Sequence, residues 1–167
     1  MDTSSLFLFV TGAGSCVGVP DLIGGLVARG YAVYSVLTPN VSLVVAPDEL
    51  MEVPGNRWIR EYGQPPLERY PFGTLIVAPC SFNTLNKISL GLSDNLATSM
   101  IADGIGAGNP VIVAPAMNLG QWSHPRTKES LERLESWGCV IVPPHIVGQR
   151  VSVPNEDILK CVVTVAC

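Results

Sequence analysis

Five apolar runs, at residues 5–10, 31–37, 74–77, 110–114 and 139–142, each stop at a loop of glycine, proline, serine or asparagine, and segments with helical spacing separate them. Runs this short and this uniformly apolar read as strands buried on both faces. Strands that alternate with helices need crossover connections, and these build a parallel sheet with helices on both faces. The expectation is a single α/β domain over residues 1–167, Rossmann-like in architecture.

In chain order, the first strand ends at Thr11-Gly12-Ala13-Gly14-Ser15, after which Val17, Leu22, Ile23, Leu26 and Val27 recur at helical spacing up to a cap at Gly30. Residues 41–46 read as a turn of helix after the second strand. Residues 47–71, broken by Pro54-Gly55, Gly63, Pro65-Pro66 and Pro71, read as loop excursions with one short strand at 57–61. A helix over 84–90 ends at Gly91. Asp94-Asn95 caps another that runs to Asp103, with Leu96, Met100 and Ile101 inside. Pro125 opens a helix to Trp137, with Leu131, Leu134 and Trp137 as its buried stripe and Gly138 as its cap. Residues 143–154 read as a loop, and Asn155 caps a last helix over 156–165.

Composition removes several function classes. A net charge of -4 without a basic run leaves no footprint for nucleic acid or an anionic membrane. The first apolar run has no basic leader and is far shorter than a bilayer span, so a cytoplasmic protein is expected. Cys16, Cys80, Cys139, Cys161 and Cys167 show no paired or zinc-type spacing, which points to reduced thiols and no metal site. With 47% hydrophobic and 14% charged residues, the chain has apolar surface to spare for contacts between subunits.

In an open α/β sheet, ligands bind in loops at the C-terminal ends of strands. Two such loops carry polar groups directly after an apolar run, residues 78–84 and 114–125. A third places Gly12, Gly14 and Ser15 at a strand-to-helix junction, which suits a phosphate or, without a ligand, simply a tight turn. The dinucleotide fingerprint fails, because Val17 stands where its last glycine belongs and Gly18 is displaced by one. The second strand ends among Ser35, Thr38 and Asn40, with no acid for a ribose, no arginine for a 2′-phosphate and no Walker lysine nearby. What remains is a monophosphate cofactor held by Ser15, Thr38, Asn40, Ser81 and Thr84, a pattern that suits flavin mononucleotide (FMN).

Pro79-Cys80-Ser81-Phe82-Asn83-Thr84-Leu85-Asn86-Lys87-Ile88 with Gly91-Leu92-Ser93-Asp94-Asn95-Leu96, and Pro115-Ala116-Met117-Asn118 with Trp122, His124 and Pro125, resemble the two signatures of the homo-oligomeric flavin-containing cysteine decarboxylases. Gln121 stands where that family usually has Met. The family includes phosphopantothenoylcysteine decarboxylase and the peptidyl-cysteine decarboxylases of lantibiotic and linaridin type. The resemblance covers nearly the whole chain and implies a homotrimer or trimer-based dodecamer with FMN at the subunit contact. It implies cofactor contacts from Pro79, Cys80, Ser81, Asn83, Thr84, Ser93, Ala116 and Met117, beside Gly12, Gly14, Ser15, Thr38 and Asn40. It also implies that Asn118 holds the substrate carboxylate. An amide suits this role, since it donates without adding a titratable charge that would hold back decarboxylation.

The chain departs from the family in two places. The family's catalytic histidine falls at Pro65 or Pro66, and residues 65–70 contain none. Glu68 is the nearest substitute, although an exposed glutamate is ordinarily ionised and a weak base at neutral pH. His145 could serve from another direction or be a plain surface residue, while His124 fits a helix-entry role. The second departure is at Val147-Gly148-Gln149-Arg150-Val151, which resembles the end of the family's substrate clamp without the cysteine that precedes it in the coenzyme A pathway enzyme. That absence favours release of an enethiol from a peptide substrate with a C-terminal cysteine, with Arg150 as a carboxylate fork or a solvated charge. Cys80 is expected to pack on the cofactor, and Trp122 to lie in the core or an interface.

The expected function is therefore FMN-dependent oxidative decarboxylation of the C-terminal cysteine of a ribosomally made precursor peptide. The alternatives are an FMN-binding partner or regulatory subunit without its own activity, and a phosphopantothenoylcysteine decarboxylase-like enzyme.

Overall fold

A computed structural model describes residues 4–61, 63–65 and 67–165; Pro66, one of the two positions matched to the family histidine, and Cys167 lie outside the described residues. The chain runs β1 (Ser5–Val10), α1 (Val19–Ala28), β2 (Ala32–Leu37), α2 (Pro47–Met51), β3 (Asn56–Ile59), β4 (Thr74–Cys80), α3 (Phe82–Leu90) and α4 (Leu96–Gly106). It continues through β5 (Val111–Pro115), β6 (Met117–Asn118), α5 (Leu119–Trp122), α6 (Pro125–Ser136), β7 (Val140–Ile141), β8 (His145–Val147), β9 (Arg150–Ser152) and α7 (Asn155–Val165). Six strands form one parallel sheet in the order β3-β2-β1-β4-β5-β7. The order of strand addition reverses between β1 and β4, with β2 and β3 laid down on one side and β5 and β7 on the other, the kind of switch point at which a ligand crevice opens.

The double burial inferred for the strands follows from their alternation. Leu6, Leu8 and Val10 of β1 pack with Leu22, Ile23 and Leu26 of α1 and Ile158 and Val162 of α7. Phe7 and Phe9 point the other way, into a cluster with Leu85 of α3, Met100 and Ile101 of α4 and Leu134 of α6. Each helix start on that second face is secured by a side chain. Ser81 accepts from the Thr84 amide, Asn95 and Thr98 form a reciprocal capping box, and His124 Nδ1 accepts from the Arg126 amide at 3.1 Å, the helix-entry role expected of it.

Several boundaries and roles differ from the sequence expectation. The strand placed at 57–61 occupies Asn56–Ile59, the helix expected to stop at Asp103 continues to Gly106, and the strand at 74–77 continues to Cys80 with a register shift after Val77. The inner stripe of α6 is Thr127, Ser130 and Leu134, while Trp137 lies past the last turn and is 46% exposed. Small hydroxyl residues can be buried there because Ser130 donates to Asn86 Oδ1 at 2.7 Å and accepts from Ser89 at 2.9 Å. The stretch 143–154 is not a plain loop. β8 and β9 form a hairpin whose β9 pairs antiparallel with β6, giving a second, three-stranded sheet. Gly148, at φ 59°, takes the first central position of the two-residue turn, which fits a type II′ hairpin. Asn155 does not cap its own helix. Its side chain reaches the Gly18 carbonyl instead, at 2.9 Å.

Among the described residues, no helix is long and apolar enough to cross a membrane, and no group of three or more His, Cys, Asp or Glu could hold a metal ion.

Candidate functional site

The C-terminal ends of β1, β2, β4 and β5 surround a cleft of about 550 Å³. Its base is set by Thr11, which is fully buried. The Thr11 hydroxyl donates to the Pro79 carbonyl at 2.7 Å and accepts from the Ser81 amide at 2.9 Å, so one side chain joins the end of β1 to the end of β4. The following Gly12 is required by close approach, since a Cβ there would lie 2.7 Å from the Asn40 carbonyl oxygen. Gly14 and Ser15 then begin a 3-10 turn, Gly14–Gly18, whose first amides have no partner within the turn.

Twelve of the residues expected from the sequence line this cleft together: Gly12, Gly14, Ser15, Thr38, Asn40, Ser81, Asn83, Thr84, Ala116, Met117, Asn118 and Arg150. Ala116 and Met117 form buried floor, while Asn118 and Arg150 are exposed at the mouth. They face one another across the antiparallel β6–β9 pair.

Five expected residues stand elsewhere. Pro79 offers its carbonyl to Thr11 and faces a small cavity with Val19, Leu22 and Ile158. Cys80 is wholly buried beneath the cleft, where burial pushes its thiol far above the ordinary range and disfavours the thiolate a nucleophile needs. Ser93 is exposed in the loop between α3 and α4, outside the lining. Glu68 is exposed on the 3-10 turn Leu67–Arg69, away from the cleft. His145, 60% exposed, pairs with Asp157 of α7 at 3.2 Å and does not reach the cleft.

Lys87 and Asp94, which stand in the first signature without an expected site role, also line the cleft. Their 2.5 Å ion pair closes one wall, and the Lys87 hydrogen bond holds the Asp94 carboxyl below the usual carboxylate range. They lie seven positions apart with the end of α3 between them, so no helical spacing announces the pair. Phe82 at the start of α3 rests edge-on against His124 at the start of α6, 5.4 Å between centroids. Trp122 is half-buried against the second core cluster.

The lining matches a phosphate-bearing mononucleotide. It combines hydroxyls from Ser15, Thr38, Ser81 and Thr84 with free amides at the Gly14 turn and a volume in the range of small-cofactor sites.

The coenzyme A biosynthesis bifunctional protein of Thermococcus kodakarensis is 25% identical over 169 residues, covering 95% of this chain and 41% of that protein. Phosphopantothenoylcysteine decarboxylase of Arabidopsis thaliana is 44% identical over 70 residues, 42% of this chain and 33% of the relative. The chain thus spans about a third to two fifths of the length of the curated relatives it matches. Among solved structures, the FMN binding protein AtHal3 superposes with a TM-score of 0.81 at 25% identity, covering 97% of this chain and 96% of that one. Residues 1–166 match the model of the family described as Flavoprotein, and the chain belongs to that family.

Proposed function

We propose that the cleft holds FMN and that the protein is a cysteine decarboxylase acting on a peptide that ends in cysteine. The carrying observation is the register that sets Asn118 opposite Arg150 at the cleft mouth. An amide donor and a guanidinium fork facing each other suit a carboxylate, which both can hold without a second negative charge. FMN is supported by the mononucleotide lining and by likeness to an FMN binding protein. A bound flavin supplies the two-electron acceptor that turns the cysteine residue into an enethiol as carbon dioxide leaves. Ala116 and Met117 are buried, so the floor of the cleft would offer a bound substrate an apolar surface that excludes water. A peptide substrate is supported by the absence of cysteine from residues 140–160, where the β8–β9 hairpin lies, so no thiol there could hand a proton to the enethiol for its reduction by a reduced flavin, and the oxidised product would be released.

The alternative of a flavoprotein completed by another chain has its own support. The ionisable residues lining the described cleft are Lys87, Asp94 and Arg150, and the first two are tied to each other. A base for the thiol proton therefore has to come from outside this wall. In this alternative a different partner subunit would supply it; under the leading proposal the protein is a cytoplasmic homotrimer or trimer-based dodecamer with FMN at the contact, whose neighbouring copy brings its own residues to the cleft. The exposed Val17, Leu43 and Val44, all on or beside the turns that flank the cleft, suit such a contact.

The test is to load the protein with FMN and offer it peptides ending in cysteine, with phosphopantothenoylcysteine in parallel. A peptide loss of about 46 mass units, carbon dioxide plus two hydrogens, supports the proposal. Turnover of phosphopantothenoylcysteine alone with a loss of about 44 overturns the peptide assignment in favour of the coenzyme A reaction. Flavin binding without turnover until another protein is added favours the partner-subunit alternative.

A further inference from the structure

The first turn of α7 touches both halves of the site. Asn155 Nδ2 donates to the Gly18 carbonyl at 2.9 Å, and Gly18 ends the 3-10 turn whose Gly14 and Ser15 line the cleft. Two residues on, Asp157 meets His145 Nε2 at 3.2 Å, and His145 belongs to β8 of the hairpin. The second Asp157 oxygen faces Lys160 at 3.4 Å. β9, which carries Arg150, is separated from Asn155 only by Val153 and Pro154. One helical turn thus tethers the glycine turn on the cofactor side and the hairpin on the substrate side, although these lie at opposite ends of the sequence.

We propose that Asn155 is a positioning residue that couples occupancy of the cofactor cleft to the order of the β8–β9 hairpin, with His145–Asp157 as the second tether. The proposal rests on the FMN assignment above. A ligand against Gly14 and Ser15 restricts the 3-10 turn, a restricted Gly18 carbonyl holds Asn155 in place, and the hairpin then loses less freedom when it closes on a substrate. Linkage makes the effect mutual, so a ligand on the hairpin tightens FMN by the same factor that FMN tightens the ligand.

The test is amide hydrogen exchange across residues 145–152 with and without FMN, beside FMN affinity from flavin fluorescence quenching. In the wild-type protein FMN should slow exchange in the hairpin by about 5-fold or more. In Asn155→Asp, which keeps the shape but cannot donate to Gly18, FMN should still bind, and the slowing should vanish. A merely structural role would raise exchange equally with and without FMN and leave the FMN-dependent difference intact. His145→Ala, a change at an exposed position, should reduce the slowing in the hairpin and decides the matter if Asn155→Asp does not fold. FMN binding with unchanged hairpin exchange in the wild type, or slowing that survives in Asn155→Asp or, where only that variant folds, in His145→Ala, overturns the coupling. Failure of the wild-type protein to bind FMN overturns the cofactor assignment itself and the coupling with it.

Discussion

Asn118 and Arg150 stand directly opposite each other in the β6–β9 ladder, at the mouth of a cleft whose floor is the preceding Ala116 and Met117. Directly opposed residues hold their Cβ atoms about 5 Å apart, close enough for both side chains to reach one carboxylate. Arg150→Lys removes the planar fork, and Asn118→Asp places like charge against the substrate. Each change should lower kcat/KM by about 10- to 100-fold, from charge-assisted hydrogen bonds worth roughly 1.5–3 kcal/mol. The flavin spectrum should be unaltered, and steady-state kinetics with FMN-saturated enzyme checks both effects.

Thr11→Val keeps the shape of a fully buried side chain and removes the hydroxyl that serves the Pro79 carbonyl and the Ser81 amide. Leaving those groups without their partner should cost about 2 kcal/mol, visible as a fall in Tm of about 4–8 °C for a chain of this size. Thermal melts with and without FMN check it, with the larger loss expected for the loaded protein because Ser81 also lines the cleft.

Gly12→Ala brings a methyl group within 2.7 Å of the Asn40 carbonyl, a backbone atom that cannot swing aside. The strain, about 1–3 kcal/mol, should push the 38–40 segment outward. The variant should fold yet retain less flavin on purification, as read from the ratio of absorbance at the flavin and protein bands.

Alkaline stability should depend on Cys139. Burial pushes its thiol up to about 11 from an ordinary value of 9.0. Above that ordinary value the unfolded chain releases a proton that the native chain keeps, so the unfolded state binds fewer protons and stability falls as pH rises. The stabilisation is complete below pH 9 and is lost progressively towards pH 11, by about 1.4 kcal/mol for each pH unit in which only the unfolded thiol is ionised. Urea midpoints measured under reducing conditions between pH 8 and 10.5 should fall less steeply in Cys139→Ala.

Gly148→Ala should disturb the hairpin alone. Its φ of 59° belongs to the left-handed region, so an alanine there costs about 1 kcal/mol. Substrate KM should rise while FMN affinity changes little, which titration and initial rates separate.

The main sheet is legible in the sequence because its strands are apolar on both faces and each ends in glycine or proline. That same pattern points to the loops after β1, β2, β4 and β5, and these are the loops that gather round the cleft. The second sheet is hidden for a physical reason. β6 has only two residues, and its partner β9 begins 32 positions after Asn118, behind a Gly148-Gln149-Arg150 stretch that reads as loop. The turn chemistry was present, since Gly-Gln between Ile146-Val147 and Arg150-Val151 is a two-residue hairpin signal. Ser130 carries no apolar signal that would put it on the inner stripe of α6, and its bonds to Ser89 and Asn86 are what let it face inward. Asn155 looks in sequence like a helix cap, and nothing local reveals that its amide is used 137 positions away.

The central position of β1 between β2 and β4 also sets an order of events during synthesis. The ribosome delivers Thr11 early, but the groups it bridges follow only with Pro79 and Ser81, and the pairing of Asn118 waits further for Arg150. An emerging chain can therefore form the Thr11 bridge before the cleft floor at Ala116 and Met117 is made, and well before Arg150 arrives to pair with Asn118. A product truncated between the bridge and the pairing would keep the β1, β2 and β4 segments and lack the hairpin.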